Sequence, residues 1–394
     1  MTEILPLFTK LDVPEFYDNS LERIESTEIP CSKTGVSINQ SDSQLLFNYQ
    51  GDFLYRLSSP NTGFYVKYAF RTRDAANNNR NSQITLSSNF FGYLFKRAVL
   101  KLGGTHVEEI DNLGICMDTL YHCEESEFRN HTGESLGFIP DTSDNVSDSI
   151  GNRTGDFAGA DVAAIIASGN NADNRVVQIN NNFNKGFVRR KKLYNYTVAA
   201  NDNFREGEIF IPLNRIFGFC SEVDKVLKYV PFEIELVRNS TYTPCFYGAA
   251  NTGMQFGNEA ESGIKSITLL LERVTLKPDL MINLEKQLSK PFEISYLRRI
   301  CEEHRQIHTD RTATYLKSFN SKEQGFARYL FCIFKTDADN TAQNNFQRCG
   351  HCNMQNISVS YAGNTYPSLP QNQDWSNNQF AKFYKDYLQV ARAL

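Results

Sequence analysis

Short runs of this chain alternate apolar and polar residues with a period of two. Phe64, Val66, Tyr68 and Phe70 alternate with Tyr65, Lys67, Ala69 and Arg71, so a strand here would carry one apolar face. Ala98, Leu100 and Leu102 alternate with Val99 and Lys101 and run into Gly103-Gly104, after which Thr105, His106, Val107 and Glu108 follow. Paired glycines supply the positive φ of a tight turn, and the stretch predicts a β-hairpin. Further strands are predicted at 209–213, 232–237, 267–276 and 329–335, and around Ile357, Val359 and Tyr361. A helix is predicted after Pro278-Asp279, where Leu280, Leu284 and Leu288 share one face. Beyond Trp375, Phe380, Phe383, Tyr384 and Tyr387 have helix-like spacing. No fixed long period recurs, which argues against a solenoid or propeller.

Three stretches break the pattern. Residues 1–44 show little periodicity and read as an N-terminal arm. From 130 to 186 the chain is polar and rich in Gly, Asn, Asp and Ser, with one short apolar run at 160–167. So long a stretch without periodicity reads as a loop excursion from one end of a sandwich. Residues 241–263 are rich in Gly and Asn and read as a linker. The periodic runs therefore fall into two groups, 45–240 and 264–394, and 394 residues suffice for two domains of ordinary size.

Composition supports strands. The 29 Phe and 19 Tyr against a single Trp favour half-buried, pleated surfaces, and the many strands joined by Asn-rich loops give an all-β picture. The net charge of -4 argues against a general nucleic-acid binder, which would present a basic surface. Apolar runs such as 329–334 are far too short to span a bilayer. Residues 1–20 lack the continuous apolar core of a secretory signal, so the nine Cys are expected as free thiols. The seven sequons, at Asn39, Asn130, Asn145, Asn152, Asn195, Asn239 and Asn356, read as chance matches in an Asn-rich chain.

Candidate chemistry is sparse. Gly133-Glu134-Ser135-Leu136-Gly137 matches the pattern of a nucleophile elbow, but polar residues precede it and Pro140 follows, where a buried strand and a helix are needed. Cys349-Gly350-His351-Cys352 is a C-x-x-C without the surrounding βαβ pattern of a redox pair. Cys301, His304 and His308 have ligand-like spacing, and Cys349 with Cys352 would complete a tetrahedral zinc site. The bland alternative is unrelated thiols and surface histidines, and His122, Cys123 and His131 are read as loop residues. Arg189-Arg190-Lys191-Lys192 is the one strong basic run and is expected to be a solvated strand edge, its charge blocking unwanted pairing. On this reading no residue is assigned a catalytic, cofactor-binding or metal-binding role.

Two stretches carry a family resemblance. The first is Ile209-Phe210-Ile211-Pro212-Leu213-Asn214-Arg215-Ile216-Phe217-Gly218-Phe219-Cys220, continuing to Asp224-Lys225-Val226 and Ile234-Glu235-Leu236. The second is Cys352-Asn353, Ile357-Ser358-Val359 and Asn364-Thr365-Tyr366-Pro367, ending in Phe380 to Tyr384. Together they resemble the double jelly-roll major capsid proteins of Polinton (Maverick) elements, adintoviruses and related virus-like elements in animal genomes. The likeness covers residues 45–394 and departs from the family in the charged segment 302–311.

The resemblance implies an all-β fold of two consecutive antiparallel jelly-roll β-sandwiches, a double jelly roll with short helices and the long loop excursion. It implies a homotrimer forming a pseudo-hexagonal capsomer that tiles an icosahedral shell, with penton or minor capsid proteins as further partners. It implies no catalysis and no cofactor. Localisation would be the virion capsid, assembled in the host nucleus or cytoplasm, without specific nucleic-acid binding or membrane insertion. In that setting 130–186 is expected on the outer face of the capsomer near the threefold, and residues 1–45 and 189–192 against neighbouring subunits or the inner layer. The second sandwich, limited to 264–394, is expected to be incomplete. The alternative is a β-sandwich receptor- or glycan-binding module whose Asn/Asp-rich excursion offers oxygens to sugar or calcium.

Overall fold

The computed structural model describes residues 21–51, 53–71, 84–123, 132–142, 184–194, 204–248, 262–288, 293–303, 327–335, 349–361 and 363–391. Its centre is two antiparallel sheets. One sheet is built from β1 (Leu21–Pro30), β3 (Leu54–Arg56), β4 (Gly63–Arg71), β8 (Phe204–Pro212) and β11 (Gly263–Leu276), in the order β1-β11-β4-β8 with β3 also on β11. The other holds β2 (Gln44–Tyr49), β6 (Phe95–Leu102), β7 (Thr105–Asp111) and β9 (Phe232–Arg238), in the order β2-β9-β6-β7. Taken in chain order, the eight main strands run first, eighth, third, sixth in one sheet and second, seventh, fourth, fifth in the other. That interleaving is a jelly roll of two sheets.

The strand patterns explain the core. In β4, Phe64, Val66, Tyr68 and Phe70 are all buried, and their neighbours Tyr65, Lys67 and Arg71 lie on the outer face. Phe64 meets Phe47 of the opposite sheet at a ring separation of 5.0 Å, and Tyr55 meets Phe232 at 5.4 Å. Gly103 and Gly104 both take positive φ, so the predicted hairpin of β6 and β7 forms. A bulge on β11 between Ile264 and Ser266 interrupts its pairing with β4. Asn39 sits beside it, its amide donating to the Ile264 carbonyl and accepting from the Ile264 N–H, both at 2.8 Å, and supplies bonds that a strand would otherwise make.

Several sequence expectations change here. The arm contains β1, which pairs along its whole length with β11. β11 was expected to open the second sandwich; it is instead a central strand of the first. The expected linker carries β10 (Phe246–Gly248), which pairs with β5 (Ile84–Leu86) and buries Cys245, Phe246 and Tyr247. The excursion is not wholly solvated: Leu136, Phe138 and Ile139 are core residues. Residues 189–192 lie within a helix, α5 (Lys185–Tyr194), and not on a strand. In each case a partner distant in sequence determines the outcome.

Helices edge the sandwich: α1 (Val36–Asn39), α2 (Phe90–Leu94), α3 (Leu113–Cys123), α4 (Gly133–Ser135), then α5, α6 (Leu213–Ile216) and α7 (Gly218–Glu222). Past β11 the described residues hold α8 (Pro278–Leu288), a hairpin of β12 (Val359–Tyr361) and β13 (Asn364–Tyr366), and α9 (Ala381–Ala391). The expected strand at 329–335 does not form a regular element.

Candidate functional site

Among the described residues, the sites that sequence suggested for chemistry do not come together. Ser135 lies in the single helical turn of α4, and its hydroxyl donates to the Thr132 carbonyl at 2.7 Å. A nucleophile elbow needs a strained strand-to-helix turn. Beside it, Glu134 accepts two hydrogen bonds from Arg189, at 3.0 and 2.9 Å, which gives Glu134 an anchoring role. His122 donates from Nδ1 to the Asp118 carbonyl at 2.7 Å and belongs to α3 instead of a loop, as does Cys123.

The cysteine motif runs into a tight turn. The Met354 N–H bonds the His351 carbonyl at 2.9 Å, and Cys352 and Asn353 between them both have φ 48. Two successive positive φ values mark a type I′ turn, which leaves Cys349 before the turn and Cys352 within it. The His351 ring stacks on Trp375 at 4.5 Å. Cys301 is half-buried, and its thiol is pushed up to about 11 by burial, then by the charges of Asp111, Glu303 and Glu302. His304, His308 and His131 lie outside the described residues. Among the described residues no group of three His, Cys, Asp or Glu side chains converges to hold a metal ion.

The buried polar chemistry instead joins parts of the chain. Glu108 shares the inward face of β7 with Ile110, and it is only 1% exposed. Its carboxylate accepts the N–H of Gly218 at 2.9 Å, of Phe219 at 2.9 Å and of Arg299 at 2.7 Å. Burial pushes its carboxyl above the usual range, and the three N–H donors pull against that. Arg299 then donates to the carbonyls of Arg215 and Ile216, at 2.9 and 2.8 Å. The Tyr296 hydroxyl donates to the Val107 carbonyl at 2.9 Å, and its ring meets Phe219 edge-on at 5.0 Å. One carboxylate thus locks residues 293–303 onto the first sandwich.

A second lock holds the basic run. Arg190 and Asp141 form a buried ion pair, with side chains 0% and 2% exposed and N–O distances of 2.8 and 2.9 Å. Arg190 also donates to the carbonyls of Leu86 and Ile139. An Arg expected in solvent is therefore an internal anchor of α5. The sequence held one signal for Glu108, its register with Ile110, and none for the pairing of Arg190 with Asp141.

Beyond β11, Ile300, Leu330, Phe331, Phe334, Leu369 and Tyr384 are all exposed. No helix among the described residues is long and apolar enough to cross a membrane.

A jelly roll of two antiparallel sheets with two internal polar locks defines a β-sandwich protein. The model of the double jelly roll-like domain matches residues 176–394, and the chain belongs to that family. Among solved structures it is similar to the Sputnik virophage structure determined by cryo-EM, with 12% identity, a TM-score of 0.40, and coverage of 66% of this chain and 49% of that one. It is also similar to the mavirus major capsid protein, with 11% identity, a TM-score of 0.35, and coverage of 68% and 52%. The Faustovirus major capsid protein gives 11%, 0.34, and 70% and 58%. The chain spans about half the length of the solved structures it matches. No curated protein matches it in sequence.

Proposed function

We propose that the protein is a structural major capsid protein whose trimers form pseudo-hexagonal capsomers of an icosahedral shell. The observation that carries the reading is the eight-strand jelly roll of the first sandwich in a chain of the double jelly roll-like family. Two such sandwiches per subunit give a trimer six similar walls, which is the geometry of a tile. The division of the chain is then an N-terminal segment, a first jelly roll from 21 to 276, and a second jelly-roll region beyond it. The chemistry is self-association: the apolar residues beyond β11 supply the burial that an obligate interface requires. The role is structural and not enzymatic. Partners are further copies of the chain and penton or minor capsid proteins, the location is the virion capsid, and the lineage is the Polinton-like group. The net charge of -4 supports weak, non-specific contact with nucleic acid at most. Light scattering on the eluting protein and electron microscopy test this together. Trimers or shells are expected. A monomer at micromolar concentration that also fails to assemble with cognate minor proteins overturns it, and a monomer with glycan affinity points to a binding module.

A further inference from the structure

Asp118 is a buried carboxyl that the locks described above do not use. It lies on α3, 5% exposed, where α3 crosses α2. The crossing is close: a Cβ on Gly114 would meet the Tyr93 ring at 2.4 Å, and one on Gly92 would come within 3.0 Å of the Gly114 Cα. Into this contact the Asn89 amide donates to the Asp118 carboxylate at 2.9 Å and to the Gly114 carbonyl at 3.2 Å. The Tyr93 hydroxyl donates to the other carboxylate oxygen. One turn further along α3, the His122 carbonyl accepts the Tyr387 hydroxyl of α9 at 2.7 Å. The helix that carries Asp118 thus also holds α9, through this bond to Tyr387.

The groups facing the carboxyl come from several elements. Tyr93 faces it from α2 and His122 from its own helix, and Lys335 lies near enough to interact electrostatically. Cys245 and Cys349 lie near the Tyr93 hydroxyl. We propose that Asp118 is a proton-sensitive joint, which holds the C-terminal helix firmly when protonated and loosens it when ionised.

The reason is the balance of burial and partners. Burial raises the carboxyl from 3.8 to about 6, against the opposing pull of Tyr93, His122, Asn89 and Lys335. Enclosure therefore costs the ionised form more than its donors return. Loosening the cover hydrates the carboxylate and relieves that cost, while a protonated carboxyl has no such gain, since the Tyr93 hydroxyl accepts as readily as it donates. A raised folded value gives stability that is present at low pH and is lost as pH rises through about 6. The joint therefore tightens in mild acid, opposite in sign to ordinary acid denaturation.

The test uses the full chain and follows hydrogen exchange of residues 381–391 together with Trp375 fluorescence, at about pH 5 and about pH 7.5. Trp375 is the only tryptophan and stacks on Phe380 at 5.4 Å, immediately before α9. With exchange expressed as protection relative to the base-catalysed intrinsic rate at each pH, wild type should be several-fold more protected in α9 at the acid pH. Asp118→Asn, which cannot ionise, should lose that difference. Tyr93→Phe removes a donor to the carboxylate and should move the midpoint to higher pH, which keeps the test open if the first variant fails to fold. A wild-type profile that is flat or loosens in acid overturns the proposal, as does an unmoved midpoint in Tyr93→Phe or a retained difference in a folded Asp118→Asn.

Discussion

Replacing Glu108 with alanine should undo the joint between the first sandwich and residues 293–303. The carboxylate accepts three backbone N–H groups, from Gly218, Phe219 and Arg299. A hydrogen bond to a charged group contributes about 1.5–3 kcal/mol net. The three do not sum freely, because burial raises the Glu108 carboxyl despite its donors, so the ionised group sits there at some cost. Removing it recovers that cost and leaves three buried donors to be satisfied. The expected loss is about 3–4 kcal/mol, most of the roughly 5 kcal/mol by which the least stable domains are held. Glu108→Gln keeps an oxygen for the Gly218 and Arg299 N–H groups but turns an NH2 toward Phe219, and should cost about 1–2 kcal/mol. Urea melts followed by circular dichroism give the free energies. Limited trypsin digestion gives the location, since Arg298 and Arg299 lie in the docked segment and should be cut sooner in both variants. An alanine variant within about 0.5 kcal/mol of wild type, with an unchanged tryptic pattern, would refute the account of this joint.

Three further outcomes follow from particular contacts. Arg190→Met should cost about 3–5 kcal/mol in urea melts because it strands the buried Asp141, and the double variant with Asp141→Leu should recover much of that loss. Gly218→Ala places a Cβ 2.0 Å from the Leu297 carbonyl oxygen, so it should lower the melting temperature and expose the same tryptic sites as Glu108→Ala. Ser135→Ala, at an exposed helical turn, should change stability by less than about 0.5 kcal/mol; a larger loss would show that its bond to Thr132 does more than tie off a turn.

Much of the local architecture was legible in the chain. The period-two runs at 64–71 and 98–108 located β4, β6 and β7, because inward and outward faces alternate whatever the strand's partner is. The glycine pair 103–104 fixed a hairpin for the same local reason: only positive φ closes that turn. The aromatic spacing from Phe380 to Tyr387 foretold α9. The candidate sites were harder. The basic run was visible, but its helix was not, and nothing near Arg190 in sequence announces Asp141 across the excursion.

What the sequence by itself determined is therefore several of the strands, the faces they present and a tight turn. Tertiary structure decided which strands belong together. β1 looked like an arm because it is an edge strand with charged residues on its outer positions, and β11 looked like a new beginning because Gly- and Asn-rich chain precedes it. They pair with each other across more than two hundred residues and close the first sandwich. Alternation fixes the face that a strand presents, but the partner along its edge is chosen by backbone hydrogen bonds. Those are the same for every residue type and leave no mark in the amino-acid pattern.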